Sequence, residues 1–418
     1  MIPALPRFEV PRRLRALVRA REISLVLIAA VIGALSGLVV AGMARAVDLA
    51  HAVLFGLTAG ERLSARAALD PLRAFAVPAL GGLALGYAML VVARRRGERE
   101  VDPIEANALH GGRMSLRGSL LVATQTVWSS GVGASVGLEA GYTQFACGLA
   151  SRIGQAFRLR RADLRLLVGC AAAGAIAGAF GAPLAGAFYA FELVIGGYSV
   201  ASLAAVAVSA LLGLLTAKAL APASLGIFAN EVVAIGGHDL VLAGLLGLLG
   251  AGFGIALMRG VAVCESAFLR LKVRPELRPA IAGSVVGLCA LISPQAMSSG
   301  HGALFLASVL DRPASAIALV LMLKSIASMV SLGGGFRGGL FFSSLLLGAL
   351  AGDLFAAWLA AAWPGLAIDP HAYAVIGMGA LSASVIGAPL TIPSLRWNPP
   401  AISPSPRRCW SRSWSRWW

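Results

Sequence analysis

The sequence predicts an all-α, polytopic membrane protein built from broken helices. Three observations carry that prediction. First, 58% of the 418 residues are hydrophobic and only 13% are charged, against about 25% charged in an ordinary soluble chain. Second, apolar stretches near the ~20 residues that cross a bilayer core recur along the chain. Third, a Gly-Ala-Pro-Leu motif follows a run of small residues twice, 206 residues apart (387 − 181), about half the chain.

The elements follow in order. Residues 1–22 form a basic segment, with "PRRLRALVRAR" at Pro11–Arg21. No small-residue cleavage site follows a short apolar core, so it reads as a cytoplasmic amphipathic helix and not as a signal peptide. The candidate spans are Ile23–Met43, Phe75–Ala93, Leu166–Phe191, Val200–Leu220, Leu240–Met258, Ala280–Ile292 and Ile317–Leu332, with a further block at Gly338–Ala362. The net charge is +16. Its Arg clusters (Arg94–Arg96, Arg158–Arg165, Arg270–Arg278) sit at span ends, which marks the cytoplasmic side and not a nucleic-acid surface.

Other features exclude function classes. Cys147, Cys170, Cys264, Cys289 and Cys409 are scattered without a C-x-x-C pair, so neither disulfides nor a metal site is expected. His301 and the His238-Asp239 pair fall in expected loops without ligand spacing. No Ser/His/Asp order or P-loop is present, so no enzyme, metal or cofactor is expected. Lys324 lies inside an apolar span. Either it sets a positive field near a pathway, or its head snorkels to the interface, which is the preferred reading.

The repeated motif marks helix breaks. "GAIAGAFGAPLAGAFYAFELV" (Gly174–Val194) pairs with "GMGALSASVIGAPLTIPSLRW" (Gly377–Trp397). Small residues followed by Pro close one helix and open another. Glu139 precedes the first motif by 42 residues (181 − 139), and glycine-rich Gly333–Phe342 precedes the second by a similar distance. Matched broken helices in two halves are the mark of a repeat-built transporter with its site between them. After the second motif the sequence becomes rich in Pro, Arg and Trp (392–418), which no spanning helix tolerates. That tail reads either as a membrane-surface segment or, preferably, as an altered reading frame that cuts the second repeat short.

One acid stands out: Glu139, in "GLEAGYTQ" (Gly137–Gln144). This segment is similar to the Gly-Arg-Glu-Gly-Pro-Thr-x-Gln segment of the ClC family of chloride channels and anion/proton exchangers. "GAFGAPLAGAFYAFE" (Gly178–Glu192), "GGLFFS" (Gly338–Ser343) and "GMGALSASVIGAPLT" (Gly377–Thr391) resemble later segments of that family in the same order. The resemblance covers about residues 24–391 and implies two inverted repeats of broken, tilted helices over a transmembrane domain at 23–391. It implies a gating role for Glu139 and an anion held by the backbone amides of Ala140, Gly141, Leu340 and Phe341. Gly137, Gly338 and Gly339 would let the backbone come close. Gln144 and Glu192 are possible accessories. A homodimer in a bacterial plasma membrane is also implied, with chloride or a similar monovalent anion, and possibly protons, as partners. Helix N-termini suit an anion because N–H groups supply positive potential without a trapping cation. Without the family, Glu139 reads as a helix-start acid stabilised by the helix dipole.

The departures matter. Where the family has Gly-Ser-Gly-Ile-Pro, this chain has "REVDP" (Arg99–Pro103). Asp102 reads there as an N-cap, Pro103 as N1 and Glu105 as N3 of a self-capped helix, or alternatively as a modified filter. The proton-route glutamate of exchangers falls on Leu193, beside Glu192, and Ser343 replaces a proline. The expectation is therefore channel-like anion movement gated by Glu139. Chloride/proton exchange is the alternative, with an organic-anion transporter and a non-transporting truncated chain as the rivals from other classes.

Overall fold

A computed structural model describes residues 22–58, 60–95, 100–221, 237–309, 312–364 and 368–387. The expected basic segment, apart from Glu22, and the expected aberrant tail lie outside the described residues, as does the second motif beyond Gly387. The described chain is helical, with one isolated β-bridge.

Among the described residues, fourteen α-helices follow in order. The first half holds α1 (Glu22–Phe55), α2 (Pro71–Arg95), α3 (Pro103–Leu109), α4 (Leu116–Gly131), α5 (Glu139–Ala156), α6 (Arg161–Phe180), α7 (Pro183–Tyr189, running into a π-helical turn at Ala190–Ile195) and α8 (Val200–Leu220). The second holds α9 (Gly237–Arg270), α10 (Arg278–Ile292), α11 (His301–Val309), α12 (Ala314–Gly333), α13 (Phe341–Ala362) and α14 (Pro370–Ile386). Among the described residues, seven helices are long and apolar enough to cross a membrane: α1, α2, α6, α8, α9, α12 and α13. The chain is an integral membrane protein.

The stretch Leu166–Phe191 does not cross as one span. α6 ends at Gly181, whose φ of 68° is left-handed, and Pro183 opens α7. Gly387 closes α14 with a φ of 70°. Both are positions where glycine carries no Cβ penalty. α4 was not expected as an element at membrane depth, because Ser, Thr and Gln interrupt its apolar character, whereas the helix opening at Glu139 was expected and is α5. Two of the α4 hydroxyls are buried inside the protein and satisfied there: Thr126 Oγ1 donates to the Val122 carbonyl at 2.8 Å and Ser129 Oγ to that of Gln125 at 2.8 Å. Lipid never meets them.

Close backbone approach builds each half. A Cβ on Gly213 would lie 2.2 Å from the Gly174 carbonyl oxygen, so α8 and α6 touch backbone to backbone. In the second half a Cβ on Gly377 would lie 2.2 Å from the Gly348 carbonyl oxygen, which joins α14 to α13 in the same manner. The most apolar window of α6 is 72% buried, against 22% for α9, so α6 is a central helix and α9 a peripheral one.

The halves meet through two equivalent turns. α4 ends at Gly131 and α12 at Gly333, an offset of 202 (333 − 131). Gly133 and Gly335, again 202 apart, take φ values of 86° and 96°. The contacts between the turns are reciprocal. The amide of Ser135 donates to Ser331 Oγ at 3.0 Å, and the amide of Arg337 donates to Ser129 Oγ at 3.0 Å. Reciprocal pairing of this kind is what a two-fold relation generates. It also brings the starts of α5 and α13 face to face.

Candidate functional site

The two chain segments entering α5 and α13 form an antiparallel bridge. The Gly137 amide donates to the Gly339 carbonyl at 2.8 Å, and the Gly339 amide returns a bond to the Gly137 carbonyl at 3.0 Å. Glycine is required at Gly338, where a Cβ would meet fixed atoms, whereas at Gly137 its absence of a side chain leaves room for the Glu139 carboxylate. A Cβ on Gly338 would stand 2.5 Å from Cβ of Val136, and one on Gly137 would stand 2.0 Å from Oε2 of Glu139. Two helix N-termini therefore converge, with their amide ends toward one another.

Glu139 is the first residue of α5, and only 7% of it is exposed. Its side chain crosses the junction. Oε1 accepts from the amide of Phe342, on α13, at 2.9 Å. Oε2 is buried and has no hydrogen-bond partner among the described residues. A buried carboxylate costs several kcal/mol of desolvation (~3 or more) unless donors or positive potential offset it. Here a charge-assisted amide bond and the positive ends of two helices supply that offset. Any other monovalent anion seated at the junction would meet the same donors.

The remaining site residues fall as follows. Among the described residues, no backbone carbonyl accepts from the amides of Ala140, Leu340 or Phe341. The amide of Gly141, by contrast, bonds the Leu138 carbonyl at 3.0 Å within its own turn. The α13 amide that reaches the carboxylate belongs to Phe342, one residue beyond those named from the sequence. Gln144 spends its side-chain amide on the Val101 carbonyl at 2.8 Å, which ties α5 to the segment before α3. Glu192 lies in the π-helical turn and accepts from the Tyr198 hydroxyl at 3.0 Å. No described contact joins it to Glu139.

Asp102 caps α3. Its Oδ1 accepts from the amides of Ile104 at 2.7 Å and Glu105 at 2.9 Å, and Pro103 opens the helix. Those two amides are taken by the chain's own carboxylate.

Aromatic rings pack around the junction. Phe180, at the end of α6, lies 4.2 Å from the ring of Phe341 and 5.9 Å from that of Phe342, centre to centre. On the other side His301 stacks on Phe342 with centroids 3.5 Å apart. Neither Phe342 nor His301 was picked out for the site. Their signal is weak in sequence, because one acts through its backbone and the other through its ring.

Lys324 corrects an expectation. It does not snorkel: its residue exposure is 0%. Nζ donates to the carbonyls of Ser298 at 2.5 Å and Ala296 at 3.4 Å. A neighbouring loop, and not the interface, receives the ammonium.

Comparison with known proteins follows the same line. A family model described as "Voltage gated chloride channel" matches residues 81–395. The chain is 34% identical over 323 residues to a putative chloride channel protein ClcB-like of Ralstonia nicotianae, covering 74% of this chain and 73% of that one. It is 30% identical over 372 residues to the voltage-gated ClC-type chloride channel ClcB of Salmonella typhi, covering 87% and 88% of the two chains. Among solved structures, a slow cyanobacterial Cl−/H+ antiporter superposes with a TM-score of 0.75 at 21% identity, over 88% of this chain and 87% of that one.

Proposed function

The chain belongs to the voltage-gated chloride channel family, and from that premise we propose that it moves chloride or a similar monovalent anion across the membrane through a gate formed by Glu139. One observation carries the proposal: the Glu139 carboxylate crosses from α5 and sits on the Phe342 amide of α13. The carboxylate occupies the place an anion would take. Ionised, it competes with chloride for the same donor. Once protonated it loses about half of its hold on that donor, because a charged acceptor binds an amide about twice as strongly as a neutral one. The side chain then swings out and the anion enters.

We favour channel-like movement without obligatory proton exchange. Leu193 stands where exchangers of the resembled family carry a glutamate, and Glu192 beside it is engaged with Tyr198. The amides at the start of α3 are spent on Asp102, so a second anion seat at that helix is not part of the reading. We place the protein in a plasma membrane, as a homodimer when fully assembled.

The test is chloride efflux from proteoliposomes with external pH recorded. Efflux without stoichiometric proton movement fits the channel-like reading. Efflux accompanied by proton uptake replaces it with chloride/proton exchange. An organic-anion carrier would show efflux of carboxylates larger than the junction of Gly137 and Gly339 admits.

A further inference from the structure

We infer that Lys324 is a positioning residue for the gate, holding the Glu139 carboxylate or a competing anion at the junction by its buried charge and bracing the Phe342 amide that receives it. The inference rests on the gate reading above and deepens it.

The geometry starts from the burial. A fully buried lysine costs desolvation that only good partners offset. Lys324 has two, the carbonyls of Ser298 and Ala296. Both belong to the turn between α10 and α11, so the ammonium pins that turn against α12. The turn needs pinning: Ser298 has a φ of 53° and Gly300 of 95°. A Cβ on Gly300 would come within 3.6 Å of Cε of Lys324, so the turn lies directly on the lysine stem.

The pinned turn reaches the gate by two contacts. Ser299 accepts from Ser343 Oγ on its carbonyl at 3.5 Å. Ser299 also hydrogen-bonds Nδ1 of His301, and that ring stacks on Phe342 at 3.5 Å. Phe342 carries the amide that holds Glu139, and Ser343 is the next residue. Lys324 is thus linked to the residue whose amide defines the closed gate, through the Phe342 ring and through Ser343 next to it.

Charge adds to position. Lys324 and Glu139 interact electrostatically across the junction. The other titratable groups facing them are Tyr142 on α5 and Tyr189 on α7, which face Glu139, and His301 on α11, which faces Lys324 and Arg62. Lys324 is a cation close enough to favour an anion at the junction while being held off it by carbonyls. That arrangement attracts chloride without trapping it.

The test uses the full chain in proteoliposomes, with chloride efflux followed from about pH 4 to pH 9. Lys324→Gln keeps an N–H donor for the carbonyls and removes the charge. The ionised gate is then less favoured, Glu139 takes its proton at higher pH, and the efflux midpoint moves up by about one pH unit. That is the order of effect one buried charge has on another at an effective dielectric of about 20. Lys324→Arg keeps the wild-type midpoint. Glu139→Gln and the double variant show no pH response. In parallel, calorimetric chloride binding in the Glu139→Gln background weakens on the order of tenfold when Lys324→Gln is added.

An unchanged midpoint with unchanged affinity overturns the inference, even if the amount of flux or the melting temperature falls, since a purely structural lysine would give that result. A pH response that survives in Glu139→Gln overturns the gate reading, and the affinity comparison then decides the role of Lys324 alone. If Lys324→Gln is not recovered folded, Lys324→Met carries the same two measurements.

Discussion

Gly137→Ala should prop the gate open. A Cβ at this position falls 2.0 Å from Oε2 and 2.4 Å from Oε1 of Glu139, where ordinary contact is about 3.5 Å. The carboxylate must therefore retreat by more than an ångström, and it loses the 2.9 Å bond from the Phe342 amide. Relief is cheap for the fold, because the atoms that clash are the tip of one side chain. A hydrogen bond to a charged group contributes about 1.5–3 kcal/mol. Losing it displaces the closed–open balance by about 10- to 150-fold toward open, at 1.4 kcal/mol per decade. Chloride efflux from proteoliposomes at neutral pH should rise toward that of Glu139→Gln, and its pH response should flatten. Size exclusion and thermal melting in detergent should match the parent. Efflux and a pH profile identical to the parent would refute the seat deduced for the carboxylate. So would a lower efflux with the pH response intact.

Other predictions concern the frame that holds the site. Asp102→Ala removes the cap of α3 and should lower unfolding free energy by about 1 kcal/mol, read by denaturant titration in detergent, with the efflux pH profile unmoved. Ser331→Ala orphans the Ser135 amide at the junction of the halves and should cost about 1–3 kcal/mol in the same titration; Ser129→Ala should do the same through the Arg337 amide. Gly377→Val places a side chain 2.2 Å from the Gly348 carbonyl oxygen. Backbone cannot yield as a side-chain tip does, so α13 and α14 should separate and the yield of monodisperse protein should collapse.

Much of the frame was legible because it rests on patterns that chain chemistry writes plainly. Apolar runs mark α1, α2, α8, α9 and α12. The paired Gly-Ala-Pro-Leu motifs locate the break at Gly181, and Gly387 takes the same left-handed turn. The cap by Asp102 is a local signature and reads off four residues. Glu139 stood out because an acid is rare in so apolar a chain. What sequence hid were contacts between distant segments. The reciprocal bonds of Ser135 and Arg337 join residues 196 and 208 positions apart (331 − 135 and 337 − 129), and no local pattern announces them. The amide that receives Glu139 is a backbone group, identical in every residue type but proline, so the register of Phe342 against Phe341 was open. Lys324 was misread for a related reason. An isolated lysine in an apolar run has a route to the interface in most folds, and only the turn at Ala296–Ser298 supplies a buried alternative.

The most direct measurement compares chloride efflux from proteoliposomes for the parent chain and Glu139→Gln across pH, with voltage clamped by ionophore and external pH recorded. The account predicts that parent efflux increases as pH falls and that Glu139→Gln transports at a rate independent of pH. Parent and variant with the same efflux and the same pH response would contradict it.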